Sequence, residues 1–144
     1  MKPAGAGRVG FALAAALAAC AAVASPQQDY MLYCMGCHGA QAQGVAGKIP
    51  PLAIALARYM HTSTGRNYVL RVPGAANSVL SDAQLAAVLN WIATTYPATG
   101  DAPAPFTAEE VAHTRHVPLA NVRATRQEVI GTLEGAGSVP APDY

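Results

Sequence analysis

The sequence predicts a small all-α domain, and three observations support that prediction. No segment shows the convincing alternation of apolar and polar residues that a half-buried strand requires. Helix-starting signals occur at Ser25-Pro26 and at Ser81, where Gln84 completes a capping box. After Ser81, apolar residues recur at helical spacing, at Leu85, Val88, Leu89 and Ile92. The fold should therefore consist of helices packed around one core.

Residues 1–24 have the composition of an export signal. Lys2 and Arg8 make the start basic, and the apolar run over residues 9–19 is too short to cross a bilayer. Small residues then precede Ser25, as signal peptidase requires. We expect a mature chain that begins at Ser25.

An alternative processing route leaves the chain on the membrane. Residues 17–20 resemble a bacterial lipobox, in which Cys20 would become the lipidated first residue. We favour ordinary cleavage, and expect a membrane association only if Cys20 is lipidated.

Short helices and loops are expected in the order that follows. The first helix should start at Ser25-Pro26 and run into a cysteine pair, and a glycine-rich loop should follow it. The remaining expected helices cover residues 52–60, residues 66–72 and the segment from Ser81 to Pro97.

A change in composition near Pro97 divides the mature chain into a domain, residues 25–97, and a tail, residues 98–144. The Pro/Ala/Gly-rich start of the tail is typical of a linker. Helices are then predicted from Thr107 and over residues 118–133, and disorder from Gly135 onward. Either the tail helices pack on the domain or they dock a partner.

The segment from Cys34 to His38 carries the chemistry. Its pattern, Cys-x-x-Cys-His, attaches a c-type haem: both thiols can add to the haem vinyl groups from one helical turn, and the histidine supplies the proximal iron ligand. Cys34, Cys37 and His38 are therefore the predicted site for one covalent haem c. In bacteria this attachment takes place outside the cytoplasm, so the motif and the leader together predict a periplasmic protein.

The chain resembles the class I cytochrome c family over about residues 26–96. The likeness rests on the haem motif, on Pro50 and Leu52 at the usual distance after it, and on similarity to the family's third and C-terminal helices. It implies a small cytochrome c-like helical domain in which the Pro50 carbonyl accepts a hydrogen bond from His38 and Leu52 packs on the haem face. It also implies packing of Tyr30, Tyr33 and Trp91 where the first and last helices cross.

The chain departs from the family at the distal iron ligand. The loop over residues 74–80, which normally supplies a methionine, contains neither methionine nor histidine. Met60 could serve if the segment around Thr62 folds as a loop over the distal face, and His61 could serve from the same place. The third arrangement has no strong distal ligand, with water or Asn77 as a weak cap.

The predicted function is electron transfer and not enzyme catalysis. The chain shows no nucleophile–base pair and no phosphate-binding loop, and it lacks the dense basic patch that nucleic acid requires. We expect a monohaem carrier whose partners are a dehydrogenase, an oxidase or another cytochrome. The alternatives are a haem-based sensor with an open distal site, and a non-diffusing cytochrome subunit of a dehydrogenase.

Overall fold

The computed structural model describes residues 24–135, and these form eight α-helices. No β-strand occurs among the described residues, so the all-α prediction is confirmed; Val45 and Ile49 form one isolated bridge. The helices are α1 Pro26–Tyr33, α2 Met35–His38, α3 Ala55–Tyr59, α4 Ser63–Arg71, α5 Pro73–Ala76, α6 Asp82–Thr95, α7 Ala108–Thr114 and α8 Val122–Gly135.

Capping residues determine where α1 and α6 begin. Ser25 accepts a hydrogen bond from the backbone of Gln28, whose side chain reaches back to Ser25, and Ser81 and Gln84 repeat the arrangement. Both boxes satisfy amide groups that a helix start would otherwise leave unpaired.

The structure shortens two of the predicted helices. The first ends at Tyr33, because Cys34 departs from helical geometry at φ −121°, and α2 begins as a separate turn. The helix predicted over residues 52–60 starts only at Ala55, because Ile54 lies at φ 65°, outside the helical region.

The segment from Thr62 to Gly65 is the first turn of α4 and not a loop. Thr62 caps this helix by accepting from the Gly65 amide at 3.0 Å. A Cβ atom at Gly65 would lie 2.2 Å from the carbonyl oxygen of Tyr59, so only glycine permits this approach of α3 and α4. Because α3 and α4 are so close at this turn, Met60 and His61 lie in a tight connection between the two helices.

Helix α6 packs against α1, α3 and α7. At its crossing with α1, the rings of Tyr30 and Trp91 lie 5.4 Å apart, and Gln84 donates to the buried carboxylate of Asp29 at 3.4 Å. Tyr33, also expected at this crossing, is half exposed.

The tail packs on the domain. Helix α7 lies against α6 and α4, and α8 lies against α4 and α3. Phe106, Val111, Val129 and Leu133 are buried there. Since α8 starts at Val122, the structure gives a later start than the predicted Pro118.

Residues 1–23 of the predicted export signal, including Cys20, lie outside the described residues, and so do residues 136–144 of the segment predicted to be disordered. Gly135, where that predicted segment begins, is instead the last residue of α8. In the described part of the chain, every helix is too short or too polar to cross a membrane.

Candidate functional site

The predicted haem-attachment residues line one cavity of about 390 Å³. Cys34, Cys37 and His38 form its first wall, together with Pro50 and Leu52. Residues from α3, α4, α5, α6 and α8 line the rest, most of them apolar. An apolar cavity of this kind suits a large flat apolar group.

His38 is held by the backbone on one side of its ring. Its Nδ1 atom lies 2.9 Å from the carbonyl oxygen of Pro50, the contact that the family resemblance implies. Because a carbonyl can only accept, Nδ1 carries the proton, and Nε2 keeps its lone pair. Burial lowers the pKa of His38, although the bond to Pro50 opposes that shift. The imidazole is therefore neutral near pH 7, which is the form that binds a metal.

The two cysteines differ in their access to solvent. Cys34 is half buried and Cys37 is exposed, and both are free thiols. Burial is the main cause that raises the pKa of Cys34, and the carboxylate of Asp29 adds to it. Because Cys37 reaches the surface, the edge of a haem attached here would lie close to solvent.

Side chains from three helices complete the cavity in a way that the sequence did not indicate. Tyr59 of α3 and Tyr68 of α4 line it, and so do Val122 and Arg126 of α8. Their apolar spacing predicted helices at these positions but gave no sign of which face would meet the haem. Val122 and Arg126 could not be predicted at the site because both lie in the tail, far along the sequence from the haem motif and beyond the predicted linker.

The structure does not place either predicted distal ligand at the cavity wall. Met60 is buried and lines a second cavity, of about 240 Å³, together with Asn90 and residues of the linker. His61 is exposed at the end of α3, and Asn77 is exposed after α5. The cause lies in α4, which begins at Ser63 and leaves no loop that could carry Met60 across.

The residues present fit a covalently held haem. Two thiols and one neutral imidazole share a wall of an apolar cavity, and the hydrogen bond to Pro50 directs the basic nitrogen away from the backbone. Cys34 and Cys37 would hold the group, and His38 would bind its iron. When bound, the group supplies one-electron redox chemistry.

Comparisons with known proteins agree with this geometry. The family model described as Cytochrome c matches residues 26–96. Two curated proteins called cytochrome c-552, both from Thermus thermophilus, are each 37% identical to this chain. Each alignment covers 72% of this chain, and it covers 91% of the length of the first relative and 80% of the length of the second. The chain therefore belongs to the cytochrome c family, whose members bind haem c covalently through the Cys-x-x-Cys-His pattern that Cys34, Cys37 and His38 form here.

Proposed function

We propose that this chain is an exported, periplasmic electron carrier that moves single electrons between a dehydrogenase and a downstream oxidase or second cytochrome. One observation carries the proposal: Cys34, Cys37 and His38 share an apolar cavity whose attachment side reaches the surface at Cys37. Membership of a family that performs haem-based electron transfer supports it further.

The cavity suits rapid outer-sphere transfer. Its helices pack closely on one another, so the two redox states should differ little in shape, and the exposed attachment edge gives a partner a short path. Next to that edge, the last turn of α1 exposes three apolar side chains: Met31, Leu32 and Tyr33. An exposed apolar cluster of this kind suits the small and brief contact of redox partners.

Export is supported by the leader. Its basic start, short apolar run and small residues before Ser25 predict removal of residues 1–24. Intact-mass measurement on the exported protein tests this. A mass fitting residues 25–144 plus one haem supports the proposal, and a mass fitting residues 20–144 plus lipid and haem shows a membrane lipoprotein instead.

Voltammetry of the holoprotein tests the electron-transfer proposal. On a gold electrode coated with a methyl-terminated monolayer, we expect one reversible wave that transfers a single electron. Leu32→Glu places a charge in the exposed cluster and should slow the exchange, whereas Val117→Glu, at a similarly exposed apolar position in the tail, should not. The absence of a reversible one-electron wave in the wild-type protein would contradict the proposal.

A further inference from the structure

Helix α8 places one charged side chain on the face that packs against the haem domain. Val122, Arg126, Val129 and Leu133 follow one another at helical spacing, and the last two are buried where α8 packs on α3 and α4. Arg126 is partly buried and occupies a position where this pattern predicts an apolar residue. Its side chain reaches the haem cavity, which Val122 also lines.

Arg126 alone carries a permanent charge among the described residues that line the haem cavity. The other lining residues are apolar or neutral, including His38, whose imidazole is neutral near pH 7. Both arginines of α4 are engaged elsewhere. Arg66 binds Glu110 and the linker, and Arg71 binds carbonyls of the segment that follows α7. An anion inside this cavity therefore finds its cationic partner in Arg126.

The guanidinium group of Arg126 lies beside the wall that α4 contributes. Burial is the larger influence on Tyr68 and raises its pKa to about 12, and the nearby guanidinium opposes that shift. Tyr68 is buried and lines the cavity, so the positive charge lies within electrostatic reach of the cavity wall. Helix α2, which carries Cys37 and His38, packs on α1 instead. The cation and the attachment residues thus reach the cavity from separate parts of the fold.

A haem attached at this site brings two carboxylates with it. The porphyrin carries its propionates at the edge opposite the vinyl groups, and Cys34 and Cys37 hold the vinyl edge. The propionates therefore lie away from the attachment residues. A carboxylate without a partner in an apolar site is costly, and an arginine can pair with it through two parallel hydrogen bonds.

We propose that Arg126 of the tail binds a haem propionate and so makes α8 part of the haem-binding site. The inference needs only the covalent haem and goes beyond electron carriage. It assigns a cofactor-binding residue outside residues 26–96, the part of the chain that the cytochrome c family model matches. Pairing keeps the carboxylate ionised and balances one negative charge of the haem within the chain. The docked tail and the bound haem then stabilise each other.

Resonance Raman spectra of the holoprotein test this contact, because the bending bands of the propionates respond to hydrogen bonds. Arg126→Met removes the charge and keeps an unbranched stem, so we expect a propionate band to move to lower frequency. Arg126→Lys keeps the charge but loses the two-point contact, and its band should lie between the two. Arg123→Met, at an exposed position on the same helix, is the matched control and should leave the band in place.

Far-UV circular dichroism checks that α8 is folded in each variant. A folded Arg126→Met protein whose propionate bands match those of the wild type overturns the assignment, because the propionates then reach solvent or another partner. A crystal structure of the wild-type holoprotein needs no variant and decides the matter if Arg126→Met does not fold. We expect a guanidinium nitrogen about 2.7–2.9 Å from a propionate oxygen. A separation beyond about 4 Å, the limit of an ion pair, overturns the proposal.

A pyridine haemochrome assay on denatured protein separates this inference from the proposed function. Covalent haem together with unchanged propionate bands in Arg126→Met refutes only the role of Arg126 and leaves electron carriage intact. Absence of covalent haem in the wild-type protein refutes the proposed function itself.

Discussion

Arg66 of α4 and Glu110 of α7 form a two-point ion pair across 44 residues of sequence: the Nε atom of Arg66 lies 2.7 Å from one carboxylate oxygen, and an Nη atom donates to the other. The guanidinium also lies 4.3 Å from the ring centre of Phe106 and donates to the carbonyl of Ala104. Both charged side chains are mostly buried. Arg66 of the haem domain therefore binds both the linker, at Ala104, and α7, at Glu110.

Arg66→Lys should lower the free energy of unfolding by about 2–4 kcal/mol, because an ammonium group cannot reproduce the planar two-point contact and leaves Glu110 poorly paired. Urea denaturation of the holoprotein measures this. Arg123→Lys, on the exposed surface of α8, is the matched control and should stay within about 0.5 kcal/mol of wild type. Equal losses in the two variants would contradict the role of Arg66.

This pair also shows where sequence reasoning stops. The sequence correctly predicts that Thr107 caps a helix, and Thr107 accepts from the Glu110 amide at 3.1 Å. The spacing of Thr107 and Glu110 also predicts a complete capping box, with the Glu110 side chain turned back toward Thr107. In the structure that side chain pairs with Arg66 instead, because a partly buried arginine is the stronger partner.

Local sequence signals predicted the cavity wall that contains the haem-attachment residues, and they did not predict the wall that α3, α4 and α8 contribute. The spacing of Cys34, Cys37 and His38 fixes the attachment chemistry within one turn. The contribution of Tyr59 and of Val122 depends on how α3 and α8 rotate against α4, and an apolar repeat gives no such angle. Met60 is a candidate ligand in the sequence because its position permits a loop there, and the start of α4 at Ser63 leaves no such loop.

Met60→Leu should leave the absorbance spectrum of the holoprotein unchanged, because Met60 packs in the core beside the linker and not at the haem cavity. Leucine nearly conserves the volume, so stability should fall by less than about 1.5 kcal/mol. Met60→Ala should keep the same spectrum and cost about 2–5 kcal/mol. Loss of a far-red band in both variants, measured in the ferric form, would show that Met60 binds iron.

Replacing Cys34 and Cys37 with alanine should abolish covalent haem, since both thioether bonds are lost. Acid-acetone extraction of the denatured protein, followed by absorbance, measures the haem that remains attached. Met35→Leu, between the two cysteines, conserves volume and both thiols and should retain haem in full. A wild-type protein that releases all its haem on extraction would contradict the attachment.

Tyr68→Phe should make the protein more resistant to alkali. The pKa of Tyr68 is raised to about 12 by burial from an ordinary value of 10.0, so between these values the unfolded chain loses a proton that the folded chain keeps. Stability contributed by this group is present below pH 10 and falls as the pH rises toward 12. Urea midpoints measured below and above pH 10 should therefore converge in Tyr68→Phe. Tyr33→Phe, at a half-exposed position, should keep the wild-type loss, and an equal loss in Tyr68→Phe would contradict the assignment.

Ending the chain after Leu119 should lower the reduction potential of the haem by tens of millivolts. The truncation removes α8, and with it Val122 and the positive charge of Arg126 from the cavity wall. Water that enters in their place favours the more positively charged oxidised state. The hydrogen bonds from Arg71 to the carbonyls of Val117 and Pro118 are retained, so the segment that follows α7 stays attached to α4.

Spectroelectrochemical titration measures the potential, and far-UV circular dichroism checks that the remaining helices are folded. Arg126→Gln separates the two causes, because it removes the charge and keeps the helix. A shift in the truncated protein that exceeds the shift in Arg126→Gln measures the effect of solvent entry. An unchanged potential in a folded truncated protein would show that α8 does not shield the haem.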